Sequence, residues 1–561
     1  MFDRNQNGAG KRQWRRSQLS RLRRLLRRGA AFRRSEDGSM VFFALVILTI
    51  MLFLGGMAVD LMRYEAERSR IQATADTAAL AAASMRQERP PVQVVEDWFQ
   101  KAQLSDALMG VTLDQGLNYR SVRADTRTVT RPYFMHMMGI DQLRSVAAGT
   151  AVERRTNVEI SLVLDISGSM AGTKMTLLKS AATEFVNALL QEDTENRVSI
   201  SVVPYNGQVN VGPDLLSRFN LTDRHNFSHC IDLPASAYTT LPLSRTAPMP
   251  QHAAADTFNT SNTSSGWSTT NMAPGTSNIW CMPNANNRVR VFSNNRTTLV
   301  NQINAMEAVG ATSIDAGLRW GSALLDPSAR SLVNSLVDAG IVPSYFRNRP
   351  RDYDDPENLK VIVLMTDGEH WPNEKIADGY RSGPSIIYRH SDGYYSIFHA
   401  GRSGTSKYWV PHRSEWRAVP WAGSTTCTTW SCVPTATATP LDWQTVWQQL
   451  RVQWVAQQMY VRALGGTLAS HLNTLRVREG TLIGSGPHEV STMDNRLNTL
   501  CTLVKQQNVV IFGIAFEAPV GGANVIRNCA SPNRFYDVAG LDIANAFRSI
   551  RVQISALRLT Q

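Results

Sequence analysis

The chain has 561 residues and a formal net charge of +12. Twelve Lys/Arg against three acids in residues 1–38 supply +9 of that, so the rest of the chain carries only +3 and its high pI is no sign of a nucleic-acid-binding body. No GxxxxGK[ST] loop, HExxH helix or GxSxG turn occurs, which removes the commonest ATPase, zinc-protease and hydrolase signatures and reads the chain as a non-enzyme.

Residues 39–59 (SMVFFALVILTIMLFLGGMAV) run for 21 residues without a charge, enough to cross a bilayer as one helix. The span is placed at 39–61. The basic flank places residues 1–38 in the cytoplasm and sends the bulk outward, periplasmic or extracellular, from a single pass through the inner membrane. Beside a span, such a tail reads as topogenic rather than nucleic-acid-binding. A cleaved signal peptide is the rival. The apolar run is long for one, and the small-residue stretch 78–83 lies beyond charged Arg63, Glu65, Glu67, Arg68 and Arg70. A prepilin-type cut after Gly38 would want a glutamate five residues on, where Phe43 stands. An uncleaved anchor is therefore expected.

Residues 62–155 read as a helical extension followed by a small α+β stalk. The extension continues through alanine-rich sequence to about residue 90, where Arg89-Pro-Pro91 stops it. A helix over 94–108, a strand over 117–130 and a short strand over 147–152 are predicted next. Phe134-Met-His-Met-Met138 reads as a core or packing patch rather than a soft-metal site. Asp60, Gln72 and Asp76 read equally well as a solvated helix face or as helix-packing groups. Several residues here carry a resemblance. Gly38-Ser-Met before the apolar run, Gly56-Met-Ala-Val-Asp60, Arg70-Ile-Gln72 and Ala75-Asp-Thr-Ala-Ala-Leu-Ala81 are similar to the TadE/G-like proteins of tight-adherence (Flp) pilus assembly. The resemblance covers about residues 36–155.

From 156 to 559 apolar strands alternate with helices. Strands are predicted at 160–164, 198–204, 361–365 and 509–516, and helices at 174–190, 314–325, 494–506 and 543–554. That alternation predicts an α/β fold with a doubly wound, mostly parallel sheet. Some four hundred residues exceed what one such domain needs, so two long insertions are expected, near 213–295 and 370–490. The first is rich in Asn, Ser and Thr. The second holds eight of the thirteen tryptophans, and Trp443, Trp447 and Trp454 are expected to share a helical face that docks it onto the domain. Core packing is favoured for these aromatics over a glycan or peptide surface.

Within this region Asp165-Ile-Ser-Gly-Ser-Met170 closes the first strand. It sets a carboxylate and two hydroxyls, Asp165, Ser167 and Ser169, at alternate loop positions. Thr312 stands just ahead of a helix, and Asp367 ends the third strand. Hard divalent cations take oxygen ligands, and open α/β sheets bind ligands at the carboxyl ends of their strands. Each feature also suits a helix cap or turn, but three such features in order, each at a strand end or helix start, favour a metal. These five residues resemble the metal-ion-dependent adhesion site of a von Willebrand factor A domain. The resemblance implies Mg2+ or Mn2+ touched by the Ser167, Ser169 and Thr312 hydroxyls. Asp165 and Asp367 would act directly or through water, and a partner carboxylate would complete the site. The departure is the long interval from Asp165 to Thr312, which an insertion must fill.

All six cysteines lie beyond the apolar span. An even count in an exported body predicts disulfides, here Cys230–Cys281, Cys427–Cys432 and Cys501–Cys529. Together the resemblances imply a membrane-anchored, periplasm-facing component of a tight-adherence pilus system that grips a protein partner through its metal. Its partners would be other pilus-assembly components and the membrane, with no nucleic acid. The alternative is a surface-exposed, metal-dependent adhesin for a host or matrix ligand.

Overall fold

The computed structural model describes residues 37–560 except 85–86, 88, 116–118, 155–156, 192, 194, 259–263, 282–284, 424, 428–431, 435–437 and 481–489. The chain divides into two compact units, residues 1–154 and 155–561.

In the first unit one helix runs from Asp37–Ala83, 47 residues without a break. Its amino-terminal turns are apolar on every side, and Met40, Phe42, Leu48 and Leu52 there are all exposed. By length and composition it can cross a membrane. Its carboxyl-terminal half turns a face of small residues, Ala75, Ala78 and Ala82, against a three-stranded antiparallel sheet of Leu108–Gln115, Tyr119–Thr130 and Leu143–Arg154. Gly149 lies so close to the backbone at Ala75 that any side chain there would collide with it. The helix predicted over 94–108 is corrected. It is Pro91–Lys101, and Leu108 instead opens a strand whose alternation the sequence reading missed. The Phe134 patch is corrected in part: Phe134 packs on Gly56, but Met137 and Met138 are exposed.

The second unit is built on a six-stranded sheet. Its strands are β1 (Asn157–Asp165), β2 (Val198–Tyr205), β3 (Arg290–Ser293), β4 (Asn358–Thr366), β5 (Val510–Phe516) and β6 (Phe535–Val538). They lie in the order β6-β5-β4-β1-β2-β3. Every neighbouring pair is parallel except β2 with β3. Successive residues point to opposite faces of a strand, so Leu162 and Leu164 of β1 enter one core and Val163 the other. The helices Thr173–Gln191 and Asp542–Thr560 cover the first face. Ile314–Ala323 and Ser491–Gln506 cover the second. Near-continuous apolar strands follow from being buried on both faces. The four strands predicted in this unit are present. The two edge strands were not predicted, and β3 lies inside the stretch read as the first insertion.

The first insertion is divided: Leu221, Ile231 and Met249 join the core on the second face of the sheet, while its later part shares a separate core with the second insertion. Ala253 and Ala255 of the first pack with Trp443, Trp447 and Trp454 of the second, and no residue of the central sheet joins them. Arg451 pairs with Asp256 at 2.7 Å, and Trp454 Nε1 donates to the Ser268 carbonyl at 2.9 Å. The tryptophans are core residues, yet they join insertion to insertion rather than docking on the sheet. Trp443 and Trp447 share one helix, Trp443–Gln449, but Trp454 sits on another, Val452–Val455, since the chain is extended at Leu450 between them. Cys230–Cys281 and Cys501–Cys529 are disulfides. Cys427 and Cys432 face each other in a hairpin register, and their side chains lie outside the described residues.

Candidate metal centre

The chain leaves β1 and β4, adjacent strands, on opposite sides of the sheet, and the crevice at their carboxyl ends is where open sheets place ligands. Asp165 ends β1 and Thr366 ends β4, with Asp367 next. Register fixes this: Leu164 lies opposite Met365. Asp165 is buried and turned inward. Its Oδ1 accepts from the Ser167 N–H at 2.8 Å and its Oδ2 from the Thr366 hydroxyl at 2.7 Å. It therefore orders the loop instead of lining its mouth. Burial, with the Asp367 charge beside it, pushes this carboxyl up to about 7.

Above Asp165 the oxygens converge. Ser167 Oγ and Ser169 Oγ are 3.0 Å apart. They lie 3.4 and 2.7 Å from Asp367 Oδ1. The Thr312 hydroxyl joins them across Gly368, where a Cβ would sit 3.5 Å from Thr312 Oγ1 and 3.9 Å from Ser169 Oγ. Thr312 is brought in by the turn at Gly310, whose left-handed φ of +81° suits glycine and whose carbonyl accepts from Gly168 N–H at 2.9 Å. All five predicted residues are thus assembled from three separate loops. An octahedral Mg2+ with oxygens at about 2.0–2.1 Å needs neighbouring oxygens roughly 3 Å apart, a spacing that the Ser167, Ser169 and Asp367 oxygens approach.

Sequence reasoning missed four supporting residues. Lys174, at the start of the Thr173–Gln191 helix, reaches Asp367 Oδ2 at 2.8 Å and partly offsets its charge. His370 is buried three residues past Asp367, where its Nδ1 meets Asp494 Oδ1 at 2.7 Å. Its Nε2 faces both the Asp315 N–H at 3.1 Å and the Asp315 carboxylate at 3.5 Å. The N–H suits a lone pair on Nε2 and the carboxylate suits a proton. Burial opposes charge on the ring, but Asp315 and Asp494 outweigh it and push His370 up to about 9, so the proton wins. This cluster ties the Thr312 loop to the Ser491–Gln506 helix. The Gly-Glu-His run after Asp367 was the available signal, but Asp315 and Asp494 are distant in sequence and nothing local announced them.

Comparison with known proteins adds a family for the anchor end. Residues 38–85 match the family described as putative Flp pilus-assembly TadE/G-like. This segment is similar to that family. The match covers the long helix and stops before the strands of the first unit. No curated protein matches the sequence. Among solved structures, the von Willebrand factor domain of the type V pili tip protein Mfa5 from Porphyromonas gingivalis is similar at 11% identity and a TM-score of 0.31, over 72% of this chain and 97% of that one. The pilus adhesin RrgA from Streptococcus pneumoniae is similar at 10% identity and a TM-score of 0.29, over 79% of this chain and 49% of that one. The PilB minor pilin from Streptococcus sanguinis gives 11%, 0.26, 79% and 77% in the same terms. Likeness this loose fixes no fold, and the topology above stands on its own strand order.

Proposed function

We propose that this chain is a membrane-anchored, periplasm-facing component of a tight-adherence (Flp) pilus assembly system, and that its α/β unit is von Willebrand factor A-like and grips a protein partner through a divalent cation. The observation that carries the reading is the convergence of Ser167, Ser169 and Asp367 oxygens within 2.7–3.4 Å at the carboxyl end of a parallel sheet. Mg2+ or Mn2+ held there would supply a Lewis-acidic position for a carboxylate from the partner. Ser167, Ser169 and Thr312 offer neutral hydroxyls, so few fixed charges compete with that carboxylate. Asp165 holds the loop in shape from beneath through Ser167 N–H and Thr366. Lys174 partly offsets the Asp367 charge and would give way where a cation takes that carboxylate. No side chain in the set is an activated nucleophile beside a base, so the arrangement suits holding rather than turnover. The reading is tested by capturing partners from detergent-solubilised membranes on the full chain. Capture that needs Mg2+ and is lost in EDTA and in Thr312→Ala is expected; identical capture with and without chelator contradicts it.

A further inference from the structure

The first unit carries a feature that its anchor alone does not require. Asp60, one residue past the uncharged run, is buried and accepts three backbone N–H groups, from Tyr133 at 2.8 Å, Phe134 at 2.7 Å and Met135 at 2.8 Å. A carboxylate with three such donors clamps one short turn, Met135–Met138, against the helix. Phe134 lies on Gly56, where any side chain would collide with its ring. The turn presents its apolar side chains outward: Tyr133 is 68% exposed, Met137 71%, Met138 57% and Ile140 38%. The Arg63 guanidinium sits 4.1 Å over the Tyr133 ring.

We infer that the turn at residues 132–140 is a second membrane contact, seated in the bilayer interface beside the helix. The inference rests on the helix spanning the membrane, and depth carries it. At 1.5 Å per residue, the 21 uncharged residues 39–59 span roughly 31 Å, the thickness of a hydrocarbon core. Gly56 lies three residues inside that run, roughly 4–5 Å below its end. Phe134, in contact with Gly56, is held at the boundary between acyl chains and headgroups, and Tyr133, Met137, Met138 and Ile140 project from the same turn. A Tyr ring capped by Arg63 is the pairing expected at headgroup level, with an apolar body and a wet rim. His136 pairs with Asp141 at 2.7 Å, so the polar groups of the turn satisfy each other beside the apolar ones. The exposed patch is continuous with the lipid-facing helix, and the bilayer is its occupant. Two anchoring points fix the tilt of the helix where one leaves it free.

The test uses the full chain reconstituted in phosphatidylcholine/phosphatidylglycerol vesicles, with an environment-sensitive maleimide probe on single introduced cysteines. Wild-type labelling sets the background. Leu48→Cys reports the span, Met137→Cys the turn, and Leu80→Cys, twenty residues beyond Asp60 and 70% exposed, the distal helix. Quenching of the probes at 48 and 137 by doxyl lipid, with the probe at 80 quenched by aqueous iodide alone, is expected. A probe at 137 that iodide reaches and doxyl lipid does not overturns the inference while leaving the span intact. Protection of 137 from both quenchers, as beneath a protein, also overturns it. Failure at 48 refutes the spanning helix and the inference with it.

Discussion

Glu159 and Lys360 lie directly opposite each other on β1 and β4, their side chains buried and 2.6 Å apart. Charged residues are rare in such a core. Lys360 also donates to the Leu325 carbonyl at 2.9 Å, and Glu159 accepts the Arg351 N–H at 3.0 Å. Slipping β1 against β4 by one residue would separate this pair and move Asp165 away from Thr366, so the ion pair guards the register on which the oxygen cluster depends. Lys360→Met keeps the length and removes the charge, leaving Glu159 with the Arg351 N–H and the field of nearby Arg349. Breaking a buried pair from one side costs about 3–5 kcal/mol. The remaining contacts place this case near 3 kcal/mol. Adding Glu159→Gln removes the stranded charge and should recover much of the loss, because removing both charges of a buried pair is often near neutral. The assay is denaturant unfolding of the detergent-solubilised chain, followed through the β-sheet signal, for wild type, both single variants and the double variant. A loss below about 1 kcal/mol for Lys360→Met, or a double variant as unstable as the sum of the singles, would refute the argument that the pair is coupled and guards the register.

Two further outcomes follow from the same contacts. His370 is raised to about 9 in the fold against 6.5 when free, so its contribution is complete below pH 6.5 and fades as pH rises through about 9. Melting temperatures over pH 6 to 10 should fall more for wild type than for His370→Gln, and parallel curves would count against the cluster. The Cys501–Cys529 disulfide closes a 28-residue interval around β5. Chain-entropy arguments put its removal at about 3–4 kcal/mol, so Cys501→Ala/Cys529→Ala should lower the unfolding midpoint while Cys230–Cys281 persists in non-reducing mass spectrometry; an unchanged midpoint contradicts this.

The central sheet was legible because its strands are buried on both faces and therefore read as uninterrupted apolar runs, as in Val361-Ile-Val-Leu-Met365. The edge strands were not, because Arg290–Ser293 and Phe535–Val538 are four residues each and mix polar with apolar side chains. Leu108–Gln115 was lost for a related reason: one face is solvent-exposed, and its start borders a true helix. The five candidate residues could be named from loops at strand ends and a helix start, since each lies in a local pattern. Lys174, Asp315 and Asp494 could not. Their importance comes from contacts such as Lys174 with Asp367, 193 residues apart, which only the fold brings together. The tryptophans were rightly placed in a core and wrongly assigned a partner, because periodicity shows which face is buried but not what covers it.

The central claim is that Ser167, Ser169, Thr312 and Asp367, ordered from beneath by Asp165, hold a divalent cation. The most direct measurement is thermal unfolding of wild type and Asp165→Ala in EDTA and in rising Mg2+ or Mn2+. A cation bound only to the fold stabilises it by about 2.7 kcal/mol at a hundred times its Kd. Wild type should therefore melt progressively higher with cation concentration, while Asp165→Ala, which loses the group ordering Ser167, should show little of that rise. Equal responses in the two proteins, or none in wild type at millimolar cation, would contradict the site.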